Sequence, residues 1–176
     1  MTLEFKRTQG SAPEGVHHFQ RDLTLHIAGY ASLFNQTDLS GDVVRPGAFS
    51  ASLLSPLGKI PMLFGHETHD PIGVWDRIFE DKTGLFVSGR IFAGTARANR
   101  TQRLISEGAL SGLSIGYRVK RAVRRQTSST SHAGRDLFEL DLWEVSVVAF
   151  PMLRLARITQ FSNISFNPNF TQEQSA

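Results

Sequence analysis

The 176-residue sequence predicts a mostly β fold, a largely antiparallel sheet or barrel carrying a few short helices. Three observations carry that prediction. Short runs alternate apolar and polar residues at period two, as in Leu23, Leu25 and Ile27 or Leu85, Val87 and Gly89. Turn-forming clusters punctuate these runs, for example Asn-Gln-Thr-Asp-Leu-Ser-Gly over 35–41. A single long helical stretch, 96–107, lies in the middle of the chain.

Taken in order, residues 1–22 form a polar arm broken by Gly10, Pro13 and Gly15. A first strand starts at Leu23, and a short one at Asp42 ends at Pro46. Residues 48–54 read as a short helix stopped by Pro56 and Gly58. Strands over 60–65 and 72–79 flank the loop His66-Glu-Thr-His-Asp-Pro71, and 84–92 completes a meander. Thr95 is the expected N-cap of the central helix, and Gly108 its stop. Its Arg97, Arg100 and Arg103 recur three apart and read as a solvated face. A strand over 112–125, a polar hairpin loop at 126–134 and a long strand over 135–150 follow. After Pro151 a short helical segment is expected to reach Ile158, and 159–176 reads as an irregular tail. The domain proper is therefore 23–158.

The bounds are simple. At 40% hydrophobic and 20% charged residues, the chain has the composition of a globular domain with a substantial core. It contains no run of about 18 apolar residues that would read as a membrane-spanning helix. The first residues, Met-Thr-Leu-Glu-Phe-Lys-Arg, lack the apolar stretch of a secretory leader. Without cysteine there is no disulfide, no thiolate nucleophile and no Cys-ligated zinc. A nucleophile must then be a hydroxyl, an amine, a carboxylate or a histidine. The net charge of +3 does not by itself indicate nucleic acid.

The chemistry gathers at three places. In Gly-Leu-Ser-Ile-Gly-Tyr over 112–117, Leu113, Ile115 and Tyr117 share one strand face, leaving Gly112, Ser114 and Gly116 on the other. Such a face is either a small-residue packing surface or a hydroxyl open to an extended peptide between two bare backbones. In the long strand, Glu144 and Ser146 share parity with Phe138, Leu140, Leu142, Val148 and Phe150. Either the strand bulges at Trp143 and Glu144 faces water, or the carboxylate is buried and needs a donor such as a histidine ring N–H. His66 follows the apolar run at 62–64. His66-Glu-Thr-His69 falls one residue short of the zinc-binding H-E-x-x-H, and Gly65 and Pro71 oppose a helix. A metal site from His66, His69 and Asp70 is the weaker reading, and His17, His18, His26 and His132 read as surface or packing residues. Serine, histidine and carboxylate together can build an acyl-transfer site in any chain order.

Four blocks in series resemble tailed-phage prohead proteases. They are Gly-Tyr-Ala-Ser-Leu-Phe-Asn at 29–35 with Gly-Asp-Val-Val-Arg-Pro-Gly-Ala-Phe at 41–49, and Met-Leu-Phe-Gly-His at 62–66 with Pro-Ile-Gly at 71–73. The third joins Gly-Leu-Phe-Val-Ser-Gly at 84–89 to Gly-Ala-Leu-Ser-Gly-Leu-Ser-Ile-Gly-Tyr at 108–117, and the fourth is Leu-Trp-Glu-Val-Ser-Val-Val-Ala-Phe-Pro at 142–151. The resemblance implies a serine endopeptidase that cleaves scaffolding segments, and often itself, inside an immature capsid in the host cytoplasm, without cofactor or metal. It also implies the antiparallel barrel ringed by short helices of the similar herpesvirus assemblins, with activity dependent on self-association. Carried over by motif, the nucleophile falls on Ser114 rather than Ser111, and the base on His66 rather than His69. The third member falls on Glu144, with Asp141 as fallback; assemblins carry a histidine there. Under this reading the shallow Gly112 and Gly116 face would accept an extended substrate by strand addition. Arg154 or Arg157 would assist an oxyanion by resemblance to assemblins, with backbone N–H groups near Ser114 or after Pro151 as equal candidates.

A competing reading is a non-catalytic capsid-assembly or nucleic-acid-binding module built on the basic run at 118–125. No stacking aromatics interleave that run, which counts against nucleic acid.

Overall fold

The computed structural model describes residues 23–54, 59–125 and 134–165. The polar arm at 1–22 and the loop at 126–133 lie outside the described residues. Among the described residues the elements are β1 (Leu23–Leu33), β2 (Val43–Val44), α1 (Ser50–Leu53), β3 (Pro61–Phe64) and β4 (Gly73–Glu80). They continue with β5 (Gly84–Ile91), α2 (Ala96–Ser106), β6 (Gly112–Arg124), β7 (Arg135–Val148) and β8 (Arg157–Ser165).

Seven strands close into a barrel in the order β7-β3-β4-β5-β1-β8-β6, with β6 returning to β7 and β2 added on β7. Closure removes the edge problem of an open sheet. The expected antiparallel barrel is present with one amendment: β2 and β3 both pair with β7 in parallel. The long β7 serves β2 at Asp136 and Leu137 and β3 at Val145–Val147, so its outer edge is shared between two short strands.

The core is the barrel interior. Leu25 and Ile27 of β1, Leu85, Val87 and Ile91 of β5, Leu113 of β6, and Leu140, Val145 and Val147 of β7 are buried there. Burying each such side chain contributes on the order of 1.5–3 kcal/mol. The helix α2 turns Ala98, Thr101 and Ile105 inward. As expected, the Thr95 hydroxyl accepts from the Ala98 N–H at 3.1 Å, and Gly108 leaves the helix with φ +73. The arginine face of α2 is not wholly solvated, since Arg97 pairs with Asp70 at 3.0 Å.

The segment after Pro151 corrects two expectations. Residues 152–155 are turn and bend rather than helix, and from Arg157 the chain is strand to Ser165, overriding the irregular tail read from 159. The side-chain pattern there is weak, and Phe161 stays exposed. The strand forms because β1 offers an unpaired ladder across eight positions, from Leu23 opposite Ser165 to Tyr30 opposite Arg157. Ladder demand outweighs local propensity.

A buried latch ties the loop before β2 to the start of β7. Asp42, only 4% exposed, accepts from the Arg135 backbone N–H at 2.9 Å and from its Nε at 3.1 Å. Burial pushes the Asp42 carboxyl upward, but the hydrogen bonds and charge of Arg135 outweigh it and hold the group below the ordinary aspartate value. A depressed carboxyl adds stability that is present above its unfolded value and lost as pH falls through the folded one. Asp42→Asn should therefore cost roughly 1–3 kcal/mol at neutral pH. The difference from wild type should shrink once the pH falls below about 4. Urea midpoints across pH 3–7 check this, and a pH-independent difference would contradict it.

Candidate active site

Three strands of the barrel wall position the site. On β6, Leu113 faces the core while Ser114 lies directly opposite Ser146 of β7. On β7 the register slips: Gly116 opposes Glu144 and Tyr117 opposes Leu142, which leaves Trp143 without a partner. This is a bulge, in which two successive residues share a face. Leu142, Val145 and Val147 are buried in the core, whereas Trp143 is 58% exposed.

At Glu144 the structure combines the two readings: the strand bulges as in the first, and the carboxylate is buried against a histidine as in the second. The strand does bulge at Trp143, but Glu144 is not turned to water, being only 7% exposed. Nor does it stand in the apolar row, because the slip moves Glu144 and Ser146 to the face that carries Ser114.

The histidine arrives from β3. That strand runs parallel to β7 with Phe64 opposite Val147, and Gly65 N–H continues the pairing to the Val147 carbonyl at 3.0 Å. Gly65 (φ +61) and His66 (φ +65) then both adopt the left-handed conformation. For histidine that conformation is uncommon and needs support from its surroundings. Ser146 supplies it: its Oγ accepts from the His66 backbone N–H at 3.1 Å.

The polar contacts are short. His66 Nδ1 lies 2.6 Å from Glu144 Oε1, and the Ser146 hydroxyl donates to Glu144 Oε2 at 2.6 Å. The ring is about half exposed while the carboxylate is largely covered, so Nε2 is the nitrogen left for a reactant. The structure thus joins His66 to Glu144, and places Ser114 across the ladder from the serine that holds both. Among the described residues no hydrogen bond reaches the Ser114 hydroxyl.

The remaining expected residues fall as follows. Ser111 Oγ is approached by Arg157 Nη1 at 3.4 Å, and Arg157 Nε donates to the Arg154 carbonyl at 3.0 Å. The Arg154 side chain is exposed. Asp141 holds Arg118 at 3.1 Å and Lys120 at 3.9 Å, while Glu144 holds the histidine. His69 is exposed, Asp70 is taken by Arg97, and no group of three metal-ligating side chains occurs among the described residues.

Gly112 and Gly116 both lie close against the protein's own atoms. A Cβ on Gly116 would overlap Glu144 Oε1 and lie 2.8 Å from its Cδ. One on Gly112 would lie 2.5 Å from the Val148 carbonyl oxygen and 2.9 Å from Pro151 Cδ. Both glycines make room for the protein's own atoms, Gly116 for the carboxylate that holds the histidine.

Sequence reasoning assigned no role to Ser146, which is fully buried. Its signal was present, two residues from Glu144 and hence on the same strand face. The basic run is likewise less plain than expected, because β7 supplies the aromatics it lacks. Arg118 lies over Trp143 and Arg121 over Phe138, at 5.8 and 4.9 Å from the ring centroids.

Comparison with known proteins places this geometry in context. The family model described as Caudovirus prohead serine protease matches residues 16–168. The chain is 34% identical over 169 residues to the prohead protease of Enterobacteria phage HK97, covering 93% of this chain and 69% of that protein. Its fold is similar to that of the KSHV protease in complex with a hexapeptide phosphonate inhibitor, with a TM-score of 0.54 at 15% identity. That match covers 79% of this chain and 65% of the other, slightly less than two thirds of its length.

The fit between Gly116 and Glu144 is testable without any activity assay. Gly116→Ala should destabilise the fold by roughly 1–3 kcal/mol through overlap with the carboxylate. In a double-mutant cycle with Glu144→Ala, the pair should cost clearly less than the sum of the two single changes. Strict additivity in urea unfolding would show that the carboxylate does not occupy that space.

Proposed function

Because the chain belongs to the caudovirus prohead serine protease family, we propose that it acts through Ser114 as nucleophile, His66 as general base and Glu144 as the carboxylate that orients the base. The observation that carries this reading is the 2.6 Å contact between His66 Nδ1 and Glu144 Oε1. It commits one ring nitrogen to the carboxylate and leaves Nε2 as the proton acceptor.

The reaction is acyl transfer. Ser114 Oγ attacks the scissile carbonyl carbon as His66 Nε2 takes the hydroxyl proton. The resulting imidazolium is stabilised by Glu144 and passes the proton to the leaving amine as the C–N bond breaks. Water, deprotonated by the same nitrogen, then releases the acyl group and restores Ser114. Each proton transfer of this kind contributes on the order of 100- to 10,000-fold. Ser146 is unsuited to attack, being fully buried with its proton already committed to Glu144.

The oxyanion requires a donor that faces the attacked carbonyl. Of the two arginines, Arg157 is the better candidate because its guanidinium reaches Ser111, three residues before the nucleophile. The Arg154 side chain instead extends to solvent.

The substrate reading is an extended segment added to a strand edge. β6 pairs with β8 only at Gly112 opposite Arg157, although β6 continues to Arg124. Leu113 N–H points to that side, donating to the Ala156 carbonyl at 3.0 Å. By alternation, Ile115 offers its backbone groups to the same side beyond the reach of β8. A scaffold segment paired there would pass Ser114, consistent with processing of scaffold or capsid-protein extensions, and of a second copy of this chain, inside the procapsid.

Co-expression with the cognate capsid and scaffold proteins, read by intact mass, tests the proposal. Wild type should yield discrete cleavage products and Ser114→Ala none. Identical masses in both, with the protein folded and co-assembled, would refute the triad.

A further inference from the structure

We propose that Ser146 is a positioning residue that fixes both the tautomer and the backbone pose of His66; the inference rests on His66 being the general base. The three contacts close a ring. The Ser146 hydroxyl oxygen accepts from the His66 backbone N–H at 3.1 Å and its hydrogen goes to Glu144 Oε2 at 2.6 Å. Glu144 Oε1 meets His66 Nδ1 at 2.6 Å, returning to the residue where the ring began.

The proton order in this ring follows from one fact. A backbone N–H can only donate, so Ser146 Oγ must accept there. A hydroxyl has a single hydrogen, and the position of Oε2 directs it to the carboxylate. Oε2 is thereby an acceptor. A carboxylate that accepts at both oxygens leaves the hydrogen of the 2.6 Å contact on Nδ1. Nε2 is left with its lone pair, the tautomer a general base needs.

Burial makes the hydroxyl indispensable. Ser146 is 0% exposed and Glu144 only 7%, so water does not readily replace a lost donor at Oε2. An unsatisfied carboxylate oxygen at such depth drives rotation of the group toward another donor. That rotation frees His66 to adopt the other tautomer. The second bond of Ser146 matters as well, because it holds a left-handed histidine backbone that is strained without support. A residue acting only as core filler would serve neither end.

The test uses the full chain with Ser146→Ala and Ser146→Thr, and a peptide spanning a cleavage site mapped by co-expression. Proton NMR follows the downfield His66 Nδ1–H resonance, assigned by its absence in His66→Ala. In Ser146→Ala, kcat should fall on the order of 10- to 100-fold with KM within about twofold. The His66 resonance should be lost or move upfield, and the thermal midpoint should fall because the buried carboxylate loses a donor, with the variant still folded. Ser146→Thr, which keeps the hydroxyl, should recover both kcat and the resonance. Should Ser146→Ala fail to fold, Ser146→Cys keeps nearly the same volume with a poor donor and is read in the same way. Unchanged kcat and an unmoved resonance in the hydroxyl-free variant would overturn the proposal. So would equal impairment of the Thr and Ala variants with the resonance intact in both. If wild type itself cleaves nothing, the protease reading fails, while the resonance still decides whether Ser146 holds the histidine.

Discussion

A carboxylate withdrawn from water must be met by donors, and the wall of this barrel is arranged around that demand at Glu144. The group is 7% exposed and has two partners, the ring of His66 and the hydroxyl of Ser146. Three separate features make the arrangement fit. The bulge at Trp143 turns Glu144 away from the core, Gly116 leaves the volume that its carboxylate fills, and the parallel pairing of β3 brings His66 to its other side. Removing any one of these takes from the buried carboxylate a partner, its orientation or the space it fills, which costs more than a surface ion pair contributes. The site is therefore part of the wall itself.

The same constraint bears on Ser114, the proposed nucleophile on β6. Ser114 lies opposite Ser146, next to the Gly116–Glu144 pair in one ladder, so its position relative to the proposed base is set by strand register. Register in a buried ladder is strongly specified, because a one-residue slip would turn Leu113 out and Ser114 in. Rigid strands on both sides place these groups more reproducibly than loops would. The left-handed backbone of His66 is strained, and it is held from β7. The chain belongs to the caudovirus prohead serine protease family, and its barrel is similar in fold to that of a herpesvirus protease.

Much of this was legible in the sequence. Alternation located β1, β4, β5, β6 and β7, and Thr95 and Gly108 bounded α2. The serine between two glycines marked a strand that pairs with the Glu144 segment, and block order picked out His66 and Glu144, which the fold brings into contact. The rest depended on long-range pairing that side-chain patterns do not encode. β8 has little alternation of its own and exists because β1 needs a neighbour. The parity argument at Glu144 failed because a bulge shifts every later residue by one, and only the partner strand reveals it. Gly116 looked like an opening for substrate because a glycine shows an absent side chain, and the sequence does not say whose atoms fill the space. Ser146 was visible as a polar residue of matching parity, but one of its bonds reaches His66, 80 residues away in the chain.

The central claim is that Ser114 is the hydroxyl activated by a histidine held on Glu144, in a chain whose other nearby serines are otherwise engaged. Reaction with a fluorophosphonate, followed by peptide mapping, measures it directly, since such reagents modify only a serine that a base has activated. A single adduct on Ser114, absent in His66→Ala, is the expected result. An adduct on Ser111 or Ser146, or one on Ser114 that forms equally well without His66, would contradict it.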